Sequence, residues 1–432
     1  MCNKIISSAL NPAVFTDKMK NKLGIENQDG TPKLPDDKNK DKKEPKALSD
    51  LDKEILSEAG KAIFKALGNE DKFDKKELVF PNKVKGTEVK PAVATTPTEF
   101  AGKALALFEK IDTDKNGFIS SRELLKKMND PSIKGEDAAV VAMLVKEYGK
   151  IEDLSNDEIG FETSGVTKDD LKKLDNLKDD NEVKKSVNAW FPEFKAKIAN
   201  NSALRTSNGG LKLPEKASEI SYKDIHQGTA GDCYFLAPLA SLAKTNPQKI
   251  IDMVKDNGDG TYNVNFKNRT IKVKAPTDVE LALYANGGSW APIIEKAYAV
   301  YRKDEQWFKD DNAYTASGSG GQEYEGIKVL GSGSYDDDIL SFTSLSTTRE
   351  KLQDALKNHK MIAGGINSSN DFNLPKHHAY AILDYDPKTD KVTIKNPWGH
   401  EEGKLLDDKN DGIFTMSLAD FDKVFHNICY EE

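Results

Sequence analysis

Cys233 is the residue whose setting first suggests chemistry. It follows the small-residue turn Gly228-Thr229-Ala230-Gly231-Asp232 and heads an apolar run of Tyr234, Phe235, Leu236, Leu239, Ala240 and Leu242. Those positions recur at the spacing of a helix buried along one face. The thiol is therefore expected at a helix N-terminus, where free N–H groups and the positive dipole end stabilise a thiolate. Gln227, six residues back across the turn, is placed to bring a side-chain amide beside the sulfur. Acyl transfer needs such a donor where negative charge develops. A lone cysteine is more commonly a small buried hydrophobe. The glycine-rich turn ahead of this one, and its partners downstream, weigh against that reading.

Those partners sit on a predicted hairpin. Lys376-His377-His378-Ala379-Tyr380 leads into the strand-like run Ala381-Ile382-Leu383 and an Asp386-Pro387 turn. A second strand, Val392-Thr393-Ile394-Lys395, ends in Asn396-Pro397-Trp398-Gly399. A histidine that begins one strand lies beside an asparagine that ends its neighbour, which supplies a general base and the group that orients its ring. Adjacent strand residues face opposite ways, so only one of His377 and His378 is expected to face the site. His226, His359, His400 and His426 read as surface or structural residues.

A second chemistry lies upstream. Asp112-Thr113-Asp114-Lys115-Asn116-Gly117-Phe118-Ile119-Ser120-Ser121-Arg122-Glu123 fits the twelve-residue EF-hand calcium loop. Asp112, Asp114 and Asn116 supply side-chain oxygens, Phe118 its carbonyl and Glu123 a bidentate carboxylate, with Ser120 acting through water. Phe100, Ala104, Leu107, Phe108 and Ile111 before the loop, and Leu124, Leu125 and Met128 after it, have helical spacing. An acidic turn that binds nothing is the competing reading. Glu136–Tyr148 and a helix starting near Thr167 suggest a degenerate partner hand. Setting Val166 at loop position eight puts Ile159 and Phe161 where ligands would be needed, so that hand holds no ion.

The motifs carry a resemblance. QGTAGDCYFLAPLASLA, HHAYAILDYD and NPWG resemble the three active-site blocks of the calpain family of papain-like cysteine proteases. WAPIIEKAYA (Trp290 to Ala299) and DGIFTMSLADF (Asp411 to Phe421) are similar to two further blocks, and all five occur in family order. The resemblance implies an α+β fold: a papain-like two-part calpain protease core, here preceded by an all-α EF-hand-like module. It implies a non-conventional, bacterial-type cysteine endopeptidase that works through a thioester. Cys233 would be the nucleophile, His378 (the histidine before Ala-Tyr) the base, Asn396 its orienter and Gln227 the oxyanion donor. It also implies calcium in each half of the core, with Asp224 and Glu402 as matching ligands, Asp411 a third candidate and Glu325 a fourth.

Departures accompany it. Tyr234 stands where the family has tryptophan. A cross-cleft arginine–glutamate link falls on Tyr222 and Ile413, which suggests a core with a weaker calcium requirement or none. The β-sandwich and C-terminal EF-hand domain of conventional animal calpains are expected to be missing, since the sequence stops soon after Phe421. Two other classes stay open. A transglutaminase-like acyl transferase would be told apart by product analysis with an added amine. A non-catalytic calcium-regulated binding protein would leave Cys233 unlabelled by a cysteine-directed probe.

Length and composition bound the rest. The 432 residues suffice for several domains, and a net charge of -8 makes no case for nucleic acid. Three cysteines, Cys2, Cys233 and Cys429, cannot build a disulfide framework. No run approaches the ~18 apolar residues of a membrane span, and the start is a poor signal peptide. A cytoplasmic protein acting on protein substrates is expected, with secretion or lipid anchoring through Cys2 the lesser alternative. The boundaries expected are 1–47, an N-terminal segment and disordered linker; 48–97, a helical pro-segment and extended linker; and 98–178, the calcium module. They continue with 179–206, a connecting helix kinked or broken at Pro192; 207–334, the half with Cys233; and 335–432, the half with His378 and Asn396. The lysine-rich stretch Gln28 to Lys46 is an expected self-cleavage site.

Overall fold

A computed structural model describes residues 99–155, 165–286, 288–305, 313–400 and 409–432. Expectations for the first 98 residues, and for Ile159, Phe161 and Glu402, lie outside the described residues.

The described residues begin with a helical module. Helix α1 (Glu99–Ile111) buries Phe100, Ala104, Leu107, Phe108 and Ile111, the face its spacing predicts. The 112–123 loop leads into α2 (Ser121–Met128), which starts with a reciprocal Ser120–Glu123 capping box. Helix α3 (Gly135–Glu152) follows, then α4 (Lys168–Asp175), capped in the same way by Thr167 and Asp170. Ile119 and Val166 exchange backbone hydrogen bonds of 2.8 and 3.0 Å as an antiparallel bridge. The two loops are thus paired at the position given to Val166. Helix α5 (Glu182–Ser202) runs through Pro192 as one element, so the proline, expected at a kink or a break, does not end it. The proline removes one N–H, but buried Val187, Phe191, Phe194 and Ile198 hold the turns on both sides.

The cysteine half contains α6 (Cys233–Thr245), α7 (Pro247–Met253) and a three-stranded antiparallel sheet. Strands β2 (Thr261–Asn265) and β3 (Thr270–Lys274) form a hairpin, pairing Tyr262 with Val273 and Val264 with Ile271. A short β1 (Val254–Asp256) joins it across the Asp256–Gly260 turn. Helices α8 (Asp278–Leu283), α9 (Trp290–Glu305), α10 (Ala313–Gly318) and α11 (Glu323–Leu330) complete this half.

The second half is a six-stranded antiparallel sheet in the order β4-β9-β5-β6-β7-β8. Its strands are β4 (Tyr335–Ile339), β5 (Ile362–Ile366), β6 (His378–Asp386), β7 (Lys391–Lys395), β8 (Ile413–Ser417) and β9 (Asn427–Glu431). Helices α12 (Leu345–Lys357) and α13 (Leu418–Val424) flank it. Strands β6 and β7 are the predicted histidine–asparagine hairpin, with Ala381 opposite Lys395.

Helix α8 belongs to two cores at once. Val279, Ala282 and Leu283 are sealed into the same apolar cluster as Phe100, Val140 and Phe194 of the helical module. Leu281, on its other face, packs into the cluster around Phe235 and Leu239. Thr277, its cap, donates through Oγ1 to the Met128 carbonyl at the end of α2, at 2.6 Å. Gly135 N–H donates to Asp278, which also holds Arg205. Among the described residues no helix is long and apolar enough to cross a membrane.

Candidate active site

Cys233 is the first residue of α6, and the preceding Asp232 is its cap by position without a side-chain cap bond. The turn ahead of it is pressed against α8. Thr229 N–H donates to the Leu283 carbonyl at 2.8 Å, and a Cβ on Gly228 would lie 1.9 Å from that oxygen. Only glycine lets the backbones approach so closely.

His378 is buried at the start of β6, and its Nε2 lies 2.8 Å from Asn396 Oδ1. The asparagine is itself held. Its amide nitrogen donates to the His400 carbonyl at 3.1 Å, and its oxygen accepts from Trp398 N–H at 3.0 Å. Oδ1 can only accept, so Nε2 must carry the ring proton and Nδ1 is left bare. The Trp398 ring covers the imidazole, with centroids 4.3 Å apart. The next backbone N–H along β6, that of Ala379, points at the Cys233 sulfur.

The electrostatics of the pair bear on the expected thiolate. Burial pushes the Cys233 thiol up to about 11, with Asp232 and Glu323 adding to it against the N–H groups of Ala379 and Tyr234. Burial holds His378 down at about 4, against the Asn396 hydrogen bond. Both shifts favour thiol and neutral imidazole over the thiolate expected at the helix end. Two nearby carboxylates and a dry setting outweigh a dipole effect of order 1 kcal/mol.

Gln227 lines the same cleft. Its Nε2 donates to the Ala230 carbonyl at 2.6 Å, which fixes the amide, and its backbone N–H donates to the Pro397 carbonyl at 2.7 Å. That second bond ties the cysteine turn directly to the turn carrying Asn396 and Trp398.

The cleft between the halves encloses about 940 Å³ and includes Cys233, Gln227, His378 and Trp398. Several of its residues were not singled out in the sequence. Gly318 to Gly321 form one wall, and Trp190, Glu193 and Lys197 of α5 form part of another. His226 and His400, read as surface or structural, line it too, as does His377. The strand-face argument does not reach His377: it precedes β6, is exposed and has a φ of 54°. His378 alone is held by Asn396.

The acidic candidates divide. Oxygens of Asp112, Asp114 and Glu123 lie within 4.8 Å of one another, the one such group among the described residues able to hold a metal. Asp112 Oδ2 accepts from Gly117 N–H at 3.0 Å, where φ is +88°. Glu123 gathers the N–H groups of Thr113 and Ser120. Asn116 turns its Oδ1 to Phe118 N–H. Ser120 is the cap of α2, a role beyond the one expected for it. The core candidates with described side chains, Asp224, Asp411 and Glu325, each stand beside a cation. Glu325 is ion-paired to Arg302. Asp224 and Asp411 are exposed, and both act on the buried ammonium of Lys395, which burial pushes down to about 8.

Comparison with known proteins points to a family for the core. Residues 211–406 match the family model described as calpain family cysteine protease. The findings support a calpain-family protease domain. Mouse calpain-8 is 27% identical over 260 residues, 48% of this chain and 35% of that protein. Mouse calpain-5 is 26% identical over 235 residues, 42% and 35% respectively. Rat calpain-5 is 26% identical over 230 residues. The chain thus spans about a third of the length of the curated relatives it matches.

Proposed function

We propose that this protein is a calpain-like cysteine endopeptidase whose activity is governed by calcium at the 112–123 loop. The observation that carries the first part is the His378–Asn396 bond, which leaves Nδ1 bare in a cleft that Cys233 also lines. In the reaction Nδ1 of His378 takes the thiol proton as Cys233 Sγ attacks the peptide carbonyl. The oxyanion lies against Gln227 Nε2 and the Cys233 N–H. His378 then gives its proton to the leaving amine, and water attacks the thioester to free the second product. Since thiol and imidazole rest neutral, proton transfer accompanies attack.

The calcium part rests on three hard oxygen donors gathered on a loop whose pairing partner, Val166, is in place. Asp112, Asp114 and Glu123 would hold the ion, which would neutralise their crowded charge. Asp224, Glu402, Asp411 and Glu325 are given no ion in this reading, because Lys395 and Arg302 already supply cations beside three of them. The test is casein cleavage with and without calcium. Cys233→Ala and His378→Ala should abolish it, and His377→Ala should not. Cleavage that survives Cys233→Ala would end the proposal.

A further inference from the structure

Two carboxyl groups that the cleavage steps do not use lie beneath the nucleophile. Asp232 immediately precedes Cys233, and Glu295 projects from α9; both side chains are sealed from solvent. Ala285 N–H donates to Glu295 Oε2 at 2.7 Å. The other three oxygens, Glu295 Oε1 and both of Asp232, accept no hydrogen bond from any N–H or O–H group. The two carboxyls stand within hydrogen-bond reach of each other. Buried acceptors without donors are costly, and two adjacent carboxylates in a dry interior repel. One proton between them resolves both problems.

We propose that Asp232 and Glu295 share a single proton, and that this bridged acid pair is the positioning device that fastens the cysteine turn to α9. Burial holds both carboxyls above the usual carboxylate range, in keeping with a retained proton. The surroundings suit a pair with one negative charge. Lys197 of α5, itself buried, acts on Glu295 from one side. The hydroxyl-bearing rings of Tyr234, Tyr284 and Tyr314 and the Cys233 thiol face the pair from the others. Loss of the shared proton would set a second negative charge beside the sulfur and oppose the thiolate needed for attack. The pair therefore sets an alkaline limit on the reactivity of Cys233. Its role in catalysis rests on the protease reading; its existence does not.

The experiment uses the full chain and two readouts. Infrared spectroscopy of wild type at neutral pH should contain a buried protonated-carboxyl band that Glu295→Gln and Asp232→Asn each remove. A wild type lacking that band overturns the proposal whether or not the protein cleaves peptides. The pH dependence of Cys233 alkylation and of kcat/KM is the second readout. Glu295→Gln, whose amide donates to Asp232 permanently, should stay within about threefold of wild type at neutral pH and lose the alkaline fall. Glu295→Leu, which unties the turn, should fall roughly 100-fold at every pH. Equal behaviour of the two variants overturns the positioning role. If Glu295→Leu does not fold, an alkaline limb unchanged in Glu295→Gln overturns it. Intact infrared behaviour with no cleavage in wild type would instead count against the protease reading alone.

Discussion

Gly228→Ala tests whether the cysteine turn is held as tightly as its packing implies. The added Cβ would lie 1.9 Å from the Leu283 carbonyl oxygen and 2.5 Å from that of Tyr284, both backbone atoms. Real contacts of this kind essentially never fall below 3.0 Å, so the turn or the end of α8 must yield by about 1 Å. Helix α8 is poorly placed to yield, because Val279, Ala282 and Leu283 are locked in the core of the helical module. The turn should move instead, taking Gln227 and Cys233 with it. A displacement of that size at a reacting group costs about 100-fold in rate, and the overpacking costs about 1–3 kcal/mol. We expect kcat/KM on a fluorogenic peptide to fall about 100-fold, mostly in kcat, and thermal unfolding followed by circular dichroism to shift by only several degrees. Gly149→Ala is the control, since its Cβ would meet nothing within 4 Å. That helix position should gain about 0.5–1 kcal/mol with kcat/KM unchanged. Wild-type kcat/KM in Gly228→Ala would refute the close-packing argument.

Three further predictions follow from other parts of the molecule. Because His378 is held at about 4, its burial penalises the protonated fold, so stability should decline as pH falls from 6.5 towards 4. The loss is about 3 kcal/mol, and denaturant unfolding of His378→Ala should lack it; identical pH profiles would contradict the assignment. Glu123→Gln should weaken calcium binding, measured by calorimetry on the full chain against a wild-type Kd of roughly 10⁻⁷ to 10⁻⁵ M. Asp224→Asn and Asp411→Asn should not weaken it, and a loss of calcium response in either would restore a core site. Deleting residues 1–202 should strip the cover from Val279 and Leu283 at a cost of about 3–6 kcal/mol, so that the remainder is recovered unfolded or aggregated; a soluble, active fragment would argue otherwise.

How much of this was legible in advance follows from the range of each interaction. The Cys233 helix, the hairpin bearing His378 and Asn396, and the Ser120–Glu123 cap are local patterns, so periodicity and turn chemistry reveal them. His377 was misplaced because the strand begins one residue later than the alternation argument assumed. That α5 continues past Pro192 was not legible, because the apolar residues on either side of it find their partners far away in the chain. What opposes a thiolate at Cys233 was hidden for a similar reason. The dipole of α6 is written locally, whereas the burial of Cys233 and the approach of Glu323 come only through tertiary packing. The dual allegiance of α8 left no trace in its six residues, in which Val279, Leu281, Ala282 and Leu283 fit any buried helix.

The bond from Gln227 N–H to the Pro397 carbonyl has a mechanical consequence. It joins the backbone of Gln227, the proposed oxyanion donor, to the turn that orients His378, the proposed base, so the two cannot drift apart separately. If the halves part, the donor, the asparagine and the tryptophan cover leave register in one event. Heating should then switch the enzyme off as a single cooperative step that precedes melting of either half, with no intermediate form of graded activity.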